Sequence, residues 1–211
     1  ENQVLVCAQS NAAVDWIAEK LGDRDVAVLS IGNPSRVNDK MLSFTYERRF
    51  ESHPLYSELW SIRKAIRETS RKRHERISEL KDRATQIEIQ INEDLFSQAR
   101  VVASTLVSSN HRVLSGRKFS TLFIDEAAQA LEAACWIAIR KVERVVLAGD
   151  HCQLPPTIKC IDAARGGLSN TLMEKIVTGK PQSVSLLKVQ YRMHQAIMHF
   201  PSHWFYSGEV Y

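Results

Sequence analysis

Short runs of β-branched and other apolar residues constrain the fold of this 211-residue chain more than any other feature. Four strong runs lie at residues 4–8, 101–104, 121–125 and 144–149, and two weaker runs lie at 26–32 and 183–187. Because none of them alternates between apolar and polar residues, they are predicted to be strands buried on both faces. Such strands belong to parallel sheets that are covered by helices.

Helical stretches are predicted between these strands, at residues 11–21, 128–140, 168–177 and 194–204. Strands that alternate with helices indicate a doubly wound α/β domain with a parallel sheet and helices on both faces. In such sheets, ligands bind at the carboxyl ends of the strands. The polar motifs of this sequence come just after predicted strands.

Residues 57–98 break the alternation, because they lack glycine and proline and are dense in charge. Apolar residues recur every three or four positions in two stripes, which predicts helices, and the basic sequence RETSRKRHER (67–76) separates the stripes. One straight helix of this length would reach ~60 Å, whereas a compact domain of this size is about 45 Å across. A helical hairpin, or two helices with the basic stretch near the tip, is therefore predicted within an inserted subdomain at 40–98. A coiled-coil arm and a solvated insertion packed on its own domain remain alternative roles.

Composition narrows the class of protein. A hydrophobic content of 44% and a charged content of 25% are ordinary for a soluble globular protein. No apolar run approaches the roughly 18 residues of a membrane helix, and the first residues do not have the pattern of a signal peptide. The net charge of +4 and the pI near 8.9 permit nucleic-acid binding but do not establish it.

The four cysteines, Cys7, Cys135, Cys152 and Cys160, contain no C-x-x-C pair. A structural zinc site and a disulfide framework are therefore not expected. Reduced thiols in a cytoplasmic protein, or in a nuclear one if the source is eukaryotic, are the prediction.

Two carboxylates follow the apolar run at 121–125. After a buried strand, Asp125 can hold Mg²⁺, often through water, and Glu126 can orient an attacking water in nucleotide hydrolysis. The alternative is that Asp125 caps a helix beginning near Ala128. The pair alone does not decide between the two.

The sequence LAGDHCQLPP (147–156) also follows a predicted strand. Its Gly-Asp turn and paired prolines predict a rigid, exposed loop, in which Gln153 presents an amide that both donates and accepts hydrogen bonds. His151 and Cys152 are adjacent and have no second pair of ligands nearby in sequence. Because this spacing is poor for a metal, no metal site is expected in the loop.

The sequence VQYRMH (189–194) follows the last apolar run. The planar guanidinium of Arg192 suits a phosphate group, and the ring of Tyr191 can stack on a base. The alternative for Arg192 is a surface salt bridge at the start of a helix.

Together, these motifs resemble motifs II, III and IV of superfamily 1 helicases, and most closely those of the nonsense-mediated-decay RNA helicase and its relatives, including the immunoglobulin-mu-binding helicases. The sequences that carry the resemblance are IDEAAQALEAACW, LAGDHCQLPP, AARGGLSNTLMEKI and VQYRMHQAIMHFPSHWFYSGEV. The likeness covers residues 1–32 and 99–211, whereas the helical insertion matches only in position and character. It implies that residues 1–211 form part of a RecA-like motor domain, a monomer that uses ATP and Mg²⁺ and acts on single-stranded RNA or DNA. Protein regulators are possible partners, and no membrane is involved.

The resemblance also implies roles for individual residues. Asp125 would hold Mg²⁺ through water, and Glu126 would activate the attacking water. Gln153 would sense the γ-phosphate, Tyr191 would stack on adenine, and Arg192 would act as an arginine finger. Such a finger is worth about 10³–10⁵ in rate.

Two further segments resemble motifs that contact the sugar-phosphate backbone. In CAQSNAAVDWIAEKL (7–21), Ser10 and Asn11 would touch that backbone. A Ser-Asn pair that opens a helix also caps it, so capping alone and capping with contact both remain open. Ser104 and Thr105 match the next such motif, although a hydroxyl-rich loop is also ordinary.

ATP binding in this family needs G-x-x-x-x-G-K-[ST], a loop whose backbone amides and lysine hold the phosphates. Of the eight glycines, only Gly179 is followed by lysine, and Pro181 comes next, so no such loop is present. In the family, that loop precedes motif Ia, and motifs V and VI come later than motif IV. The chain is therefore interpreted as a piece of the motor that carries motifs Ia to IV and is inactive in ATP hydrolysis by itself.

Three functions agree with the sequence. The first is an ATP-driven helicase or translocase, the second is a non-enzymatic module that binds nucleic acid or a partner on a degenerate helicase fold, and the third is an ATP-dependent clamp. The nucleic acid can be either RNA or DNA, because the inferred contacts are to the sugar-phosphate backbone and none of them recognises a 2′-OH.

Overall fold

Five parallel strands form the central sheet in the computed structural model, which describes residues 3–33, 39–69 and 74–211. They are β1 (Val4–Ala8), β2 (Val28–Ile31), β3 (Val101–Thr105), β4 (Phe119–Ile124) and β5 (Val142–Leu147), in the spatial order β2-β3-β1-β4-β5. Every neighbouring pair is parallel. The predicted α/β class is confirmed, as are five of the six predicted strands.

Helix α1 (Asn11–Gly22) packs on the sheet through one apolar face. This cluster consists of buried residues from β1, α1, β2 and β3, namely Ala8, Val14, Ala18, Val28, Val101 and Ala103. Burying one Val or Leu side chain contributes about 1.5–3 kcal/mol. The predicted helix at 11–21 is confirmed, and its packing fixes the residues that follow β1.

Strand β5 departs from the predicted burial on both faces. Glu143 and Arg144 are exposed, and 38% of the surface of Val146 is accessible. Among the described strands, β5 pairs only with β4. It is an edge strand, and its mixed composition suits that position.

The sixth predicted strand, at 183–187, is wrong. Pro181–Ser183 form a 3₁₀ turn, and the following residues pair with no described strand. The segment is instead held at its end, where the Gln190 N–H donates to the Tyr211 carbonyl and the Tyr211 N–H donates to the Lys188 carbonyl. Leu187, which pairs with no strand of the described residues, is 86% exposed.

The charged segment forms two helices, as predicted. After the short helices α2 (Asp39–Phe44) and α3 (Tyr46–Glu51) come α4 (Tyr56–Glu68) and α5 (His74–Gln98), which pack against each other. Leu59, Ile87 and Ile91 are buried. Ion pairs join Arg63 to Glu88 at 2.6 Å and Arg83 to Glu58 at 2.8 Å.

The apolar stripes of α4 and α5 therefore pack against residues of the same chain, which favours the packed insertion over a coiled-coil arm. Part of the basic stretch, residues 70–73, lies outside the described residues. Helices α2 to α5 belong to the same compact unit as the sheet, which comprises the chain through Glu126 together with Ala133–Ala148. The assignment of 40–98 as a separate subdomain stays a prediction. In the described part of the chain, no helix is long and apolar enough to span a membrane.

The second unit consists of Ala127–Glu132 and Gly149–Tyr211. It contains the one-turn helix α7 (Ile161–Ala163), α8 (Leu172–Gly179) and α9 (Gln195–Phe205). Helix α6 (Glu132–Ile139) begins where the two units meet in sequence. The predicted helix at 194–204 thus matches α9 within one residue at each end.

Two predicted helices begin later than expected. Residues 127–129 form a 3₁₀ turn, so α6 begins at Glu132 rather than near Ala128. Helix α8 begins after Thr171, whose Oγ1 accepts the Glu174 N–H at 3.1 Å. This Thr-x-x-Glu start has the sequence of a capping box, a signal that the predicted start at 168 overlooked.

Candidate functional site

The carboxyl edge of the sheet gathers the predicted site residues of the first unit. The register pairs Ala8 with Thr105 and Cys7 with Ile124, so β1, β3 and β4 end at one level. Just after or at these ends lie Ser10, Asn11, Ser104, Thr105, Asp125 and Glu126. The strand order reverses beside β1, and in doubly wound sheets ligands bind in the crevice at such a switch point.

Asp125 lies at the end of β4 and is half-buried. Its N–H donates to the Cys7 carbonyl at 2.8 Å, which extends the pairing of β1 and β4 by one residue. Because α6 begins only at Glu132, Asp125 is not the N-cap of that helix. The carboxylate is therefore held at the switch point by the sheet.

Glu126 has a left-handed backbone conformation, with φ at 51°, and its side chain is exposed. A non-glycine residue in this region carries strain of roughly 1–3 kcal/mol, and such strain is concentrated at functional sites. The second acid of the pair is thus accessible to solvent, whereas the first is partly sheltered.

Ser10 caps α1. Its Oγ accepts the Ala13 N–H at 3.2 Å, and its backbone is extended, as an N-cap requires. Ser10 and Asn11 are both exposed at the positive end of the helix dipole. Capping is thereby shown, and the residues are also accessible to an anion.

Ser104 and Thr105 differ in their surroundings. Ser104 is completely buried, and its Oγ lies 3.6 Å from the Sγ of Cys7, whose pKa is raised to about 12 by burial. Its hydroxyl is therefore buried in this arrangement, and the contact of Ser104 with a nucleic-acid backbone stays a prediction. Thr105 is half-buried, and its Oγ1 accepts the Ser108 N–H at 3.1 Å.

Asp150 organises the loop that carries Gln153 in the second unit. Its Oδ2 accepts from Gln153 Nε2 at 2.7 Å and from the Tyr206 hydroxyl, and its Oδ1 accepts the Cys152 N–H at 3.0 Å. The exposed amide of Gln153 is therefore fixed by a neighbouring carboxylate. Sequence reasoning missed both Asp150 and Tyr206, although the Gly-Asp turn was a local signal for the first.

This network shifts the pKa of the Asp150 carboxyl and the pKa of the Tyr206 hydroxyl. Partial burial opposes ionisation of Asp150, but the hydrogen bonds from Tyr206, Gln153 and the Cys152 N–H outweigh it and lower the pKa of the carboxyl below its usual value. Burial and the hydrogen bond to Asp150 raise the pKa of Tyr206 to about 12. At neutral pH, Asp150 is thus a carboxylate and Tyr206 a neutral donor.

Gly149 lies where no side chain fits. A Cβ atom at this position would be 3.0 Å from the backbone nitrogens of Ala127 and Ala128, and 3.1 Å from the Sδ of Met173. The loop can therefore approach the residues that follow the acid pair in sequence only because position 149 is a glycine.

The turn that carries Tyr191 and Arg192 is held by Gln190. Its Oε1 accepts the N–H groups of Arg192 at 3.0 Å and Met193 at 2.7 Å, and its Nε2 donates to the Met193 carbonyl at 2.7 Å. Tyr191 is 94% exposed, and Arg192 is exposed and forms no ion pair with a carboxylate of the described residues. Gln190 is a further positioning residue that the sequence patterns did not reveal.

Comparisons with known proteins agree with these features. A family described as AAA domain matches residues 1–81 and 61–160, and a second AAA-domain family matches residues 168–211. The chain is 39% identical to the Regulator of nonsense transcripts 1 homolog of Arabidopsis thaliana over 100% of its own length and 17% of that relative. It is 35% identical to the DNA-binding protein SMUBP-2 of Mesocricetus auratus, over 99% of its own length and 23% of that relative.

A third relative is the DNA polymerase alpha-associated DNA helicase A of Saccharomyces cerevisiae, which is 34% identical over 100% of this chain and 35% of its own length. The chain thus spans between 17% and 35% of the length of these three relatives.

Proposed function

This chain belongs to the superfamily 1 helicases of the nonsense-mediated-decay and immunoglobulin-mu-binding type and has their RecA-like α/β fold, and from that membership we propose that it is part of an ATP-driven helicase or translocase on single-stranded RNA or DNA. The observation that carries the proposal is the carboxyl edge of the sheet. There the acid pair and the capped start of α1 lie at one switch point.

The acid pair would serve nucleotide hydrolysis. A half-buried carboxylate at a strand end is the hard oxygen donor that Mg²⁺ prefers, so Asp125 fits the ion and would hold it through water. When bound, Mg²⁺ would neutralise charge on the phosphates. Glu126 would accept a proton from the attacking water, and its exposed position after a strained turn suits that task.

Three residues of the second unit would recognise the nucleotide. Gln153 presents an amide whose orientation Asp150 fixes, and it would hydrogen-bond the γ-phosphate. Arg192 presents a guanidinium that would act as the arginine finger, and the exposed ring of Tyr191 would stack on adenine. Preorganised donors of this kind stabilise charge that develops in the transition state.

Ser10 and Asn11 would bind the sugar-phosphate backbone of the track. They are exposed at the start of a helix of 12 residues, where backbone N–H groups and the helix dipole attract an anion. Thr105 would join them from the end of β3, and the net charge of +4 is compatible with such binding. The proposed contacts involve the nucleic-acid backbone, so the track is either RNA or DNA.

The phosphate-binding loop would come from outside these 211 residues, because none of the eight glycines lies in a G-x-x-x-x-G-K-[ST] sequence. We therefore expect the isolated chain to hydrolyse ATP at no meaningful rate. The same observation favours a second candidate function, a module that binds nucleic acid or a partner without hydrolysis. For either candidate, four free thiols suit a cytoplasmic or nuclear protein. We expect that protein to act as a monomer.

Strand displacement by the full-length protein distinguishes the candidates. The substrate is a duplex with a single-stranded overhang of RNA or of DNA, incubated with and without ATP and Mg²⁺. A helicase displaces the strand only with ATP, whereas an ATP-dependent clamp hydrolyses ATP without displacing it. Binding of the overhang with neither hydrolysis nor displacement would overturn the motor proposal and leave the binding module.

A further inference from the structure

The loop after β5 brings three different metal ligands together. A carboxylate oxygen of Asp150, a ring nitrogen of His151 and the Sγ of Cys152 all lie within 4.8 Å of one another. The sequence pattern predicts no metal here, because His151 and Cys152 are adjacent and have no second pair of ligands nearby in sequence. In the structure the loop is a tight turn, and the three side chains converge.

Hydrogen bonding explains the convergence. Asp150 Oδ1 accepts the Cys152 N–H at 3.0 Å, which is the bond of an Asx turn and curls the chain back toward the carboxylate. The Tyr206 hydroxyl and the Gln153 amide hold the other carboxylate oxygen. Outer hydrogen bonds of this kind fix the orientation of carboxylate ligands in metal sites.

The separation of the two softer donors matches zinc. Zn–S bonds of about 2.3 Å and Zn–N bonds of about 2.0–2.1 Å, at a tetrahedral angle, place sulfur and nitrogen about 3.6 Å apart. In the structure, His151 Nε2 lies 3.7 Å from Cys152 Sγ. The two atoms therefore have nearly the spacing of tetrahedral ligands before any metal binds.

We propose that Asp150, His151 and Cys152 form a zinc-binding site with three protein ligands and a fourth position open to solvent. The set of one nitrogen, one sulfur and one oxygen suits Zn²⁺, whereas Mg²⁺ and Ca²⁺ prefer oxygen ligands alone. Binding forms the Zn–S bond and releases the thiol proton to solvent. His151 is exposed and Cys152 is half-buried, so the ion enters from bulk water.

Zinc would also affect Gln153, a consequence that rests on the proposed function. A metal on Asp150 withdraws negative charge from the carboxylate that accepts the hydrogen bond of the Gln153 amide. With that bond weakened, Gln153 is held less firmly in the orientation in which it would contact the γ-phosphate. Zinc would then inhibit ATP turnover by the full-length protein, and the Cys152→Ser variant would resist the inhibition.

The site is tested directly with Co²⁺, a spectroscopic substitute for Zn²⁺, added to the reduced 211-residue chain. One equivalent is expected to produce a thiolate-to-cobalt absorption band together with visible bands of tetrahedral cobalt, and added Zn²⁺ should abolish both. Cys152→Ser should remove the thiolate band, and His151→Ala should weaken Co²⁺ binding at least about 10-fold. Tyr206→Phe should also weaken it, by about 10-fold, because an outer hydrogen bond to a ligand is lost.

Cys160→Ser is the matched control, because Cys160 is the other solvent-accessible free thiol of the described residues. It should leave the cobalt spectrum unchanged. Absence of the thiolate band in the parent chain, its persistence in Cys152→Ser or its loss in Cys160→Ser would overturn the proposal. The cobalt spectrum requires no hydrolysis, so a protein that fails as a helicase can still show the site, and an active helicase can still lack it.

Discussion

Asp150 links two segments that lie 56 residues apart in sequence, because its carboxylate accepts hydrogen bonds from Gln153 in its own loop and from Tyr206 just after α9. Charge-assisted bonds of this kind are roughly twice as strong as neutral ones. The pKa of Asp150 is lowered in the folded state, so its contribution to stability is present at neutral pH. That contribution is lost as the pH falls through the folded-state pKa.

Removing one donor should raise the pKa of Asp150. In Tyr206→Phe the hydroxyl is lost while the ring is retained, so the pKa should rise toward the usual carboxyl value. A ¹³C NMR titration of the Asp150 carboxyl carbon measures the change. Tyr191→Phe is the control, because Tyr191 is 94% exposed. An Asp150 pKa that is equal in the parent and in Tyr206→Phe would contradict the network.

Substitutions at Ser10 separate capping from nucleic-acid contact. Ser10→Ala removes the bond to the Ala13 N–H and should lower the free energy of unfolding by about 1 kcal/mol in urea denaturation. Ser10→Asp retains a capping oxygen, so it should unfold like the parent. If Ser10 contacts a phosphate, the added charge should weaken binding of single strands by the full-length protein.

Ser43→Asp adds the same charge at an exposed position on α2 and serves as the control for binding. Filter binding at one fixed salt concentration compares the variants, because phosphate contacts depend steeply on salt. If the Ser10→Asp and Ser43→Asp variants bind single strands with equal affinity, Ser10 caps α1 and does not contact a phosphate.

For individual elements, the apolar runs predicted all five observed strands, and the predicted bounds are closest for β1 and β3. Strands β1 and β3 are interior strands, and their apolar runs coincide with their observed bounds within one residue. The run at 183–187 has a similar composition but no described strand pairs with it. The composition of a segment indicates its preference for strand structure, whereas its pairing into a sheet depends on the rest of the chain.

Helix α5 provides a matched test of packing. Ile91 is completely buried, whereas Ile89 on the same helix is 51% exposed. Ile91→Ala should lower the free energy of unfolding by about 2–5 kcal/mol, because it leaves a cavity, and Ile89→Ala should change it by about 0.5 kcal/mol or less. Urea denaturation followed by circular dichroism measures both. Equal effects at the two positions would show that α5 does not pack as described.

At the scale of the whole molecule, topology explains which parts of the candidate site the sequence could predict. Parallel strands end at one edge, so residues that follow β1, β3 and β4 could be placed together from pattern alone. The partners that orient the side chains could not be predicted in this way. The bond of Tyr206 to Asp150 joins distant positions, and the buried hydroxyl of Ser104 contacts Cys7, which lies 97 positions away in sequence.

The acid pair at the carboxyl edge of the sheet is proposed to take part in ATP hydrolysis by the full-length protein. ATP turnover of that protein, measured alone, with single-stranded RNA and with single-stranded DNA, tests this claim. Glu126→Gln should lower the stimulated rate by about 10²–10⁴-fold, because the base for the attacking water is lost. Glu143→Gln, which neutralises an exposed acid on β5, should leave the rate unchanged. Turnover that is insensitive to nucleic acid and equal in the parent and in Glu126→Gln would contradict the claim.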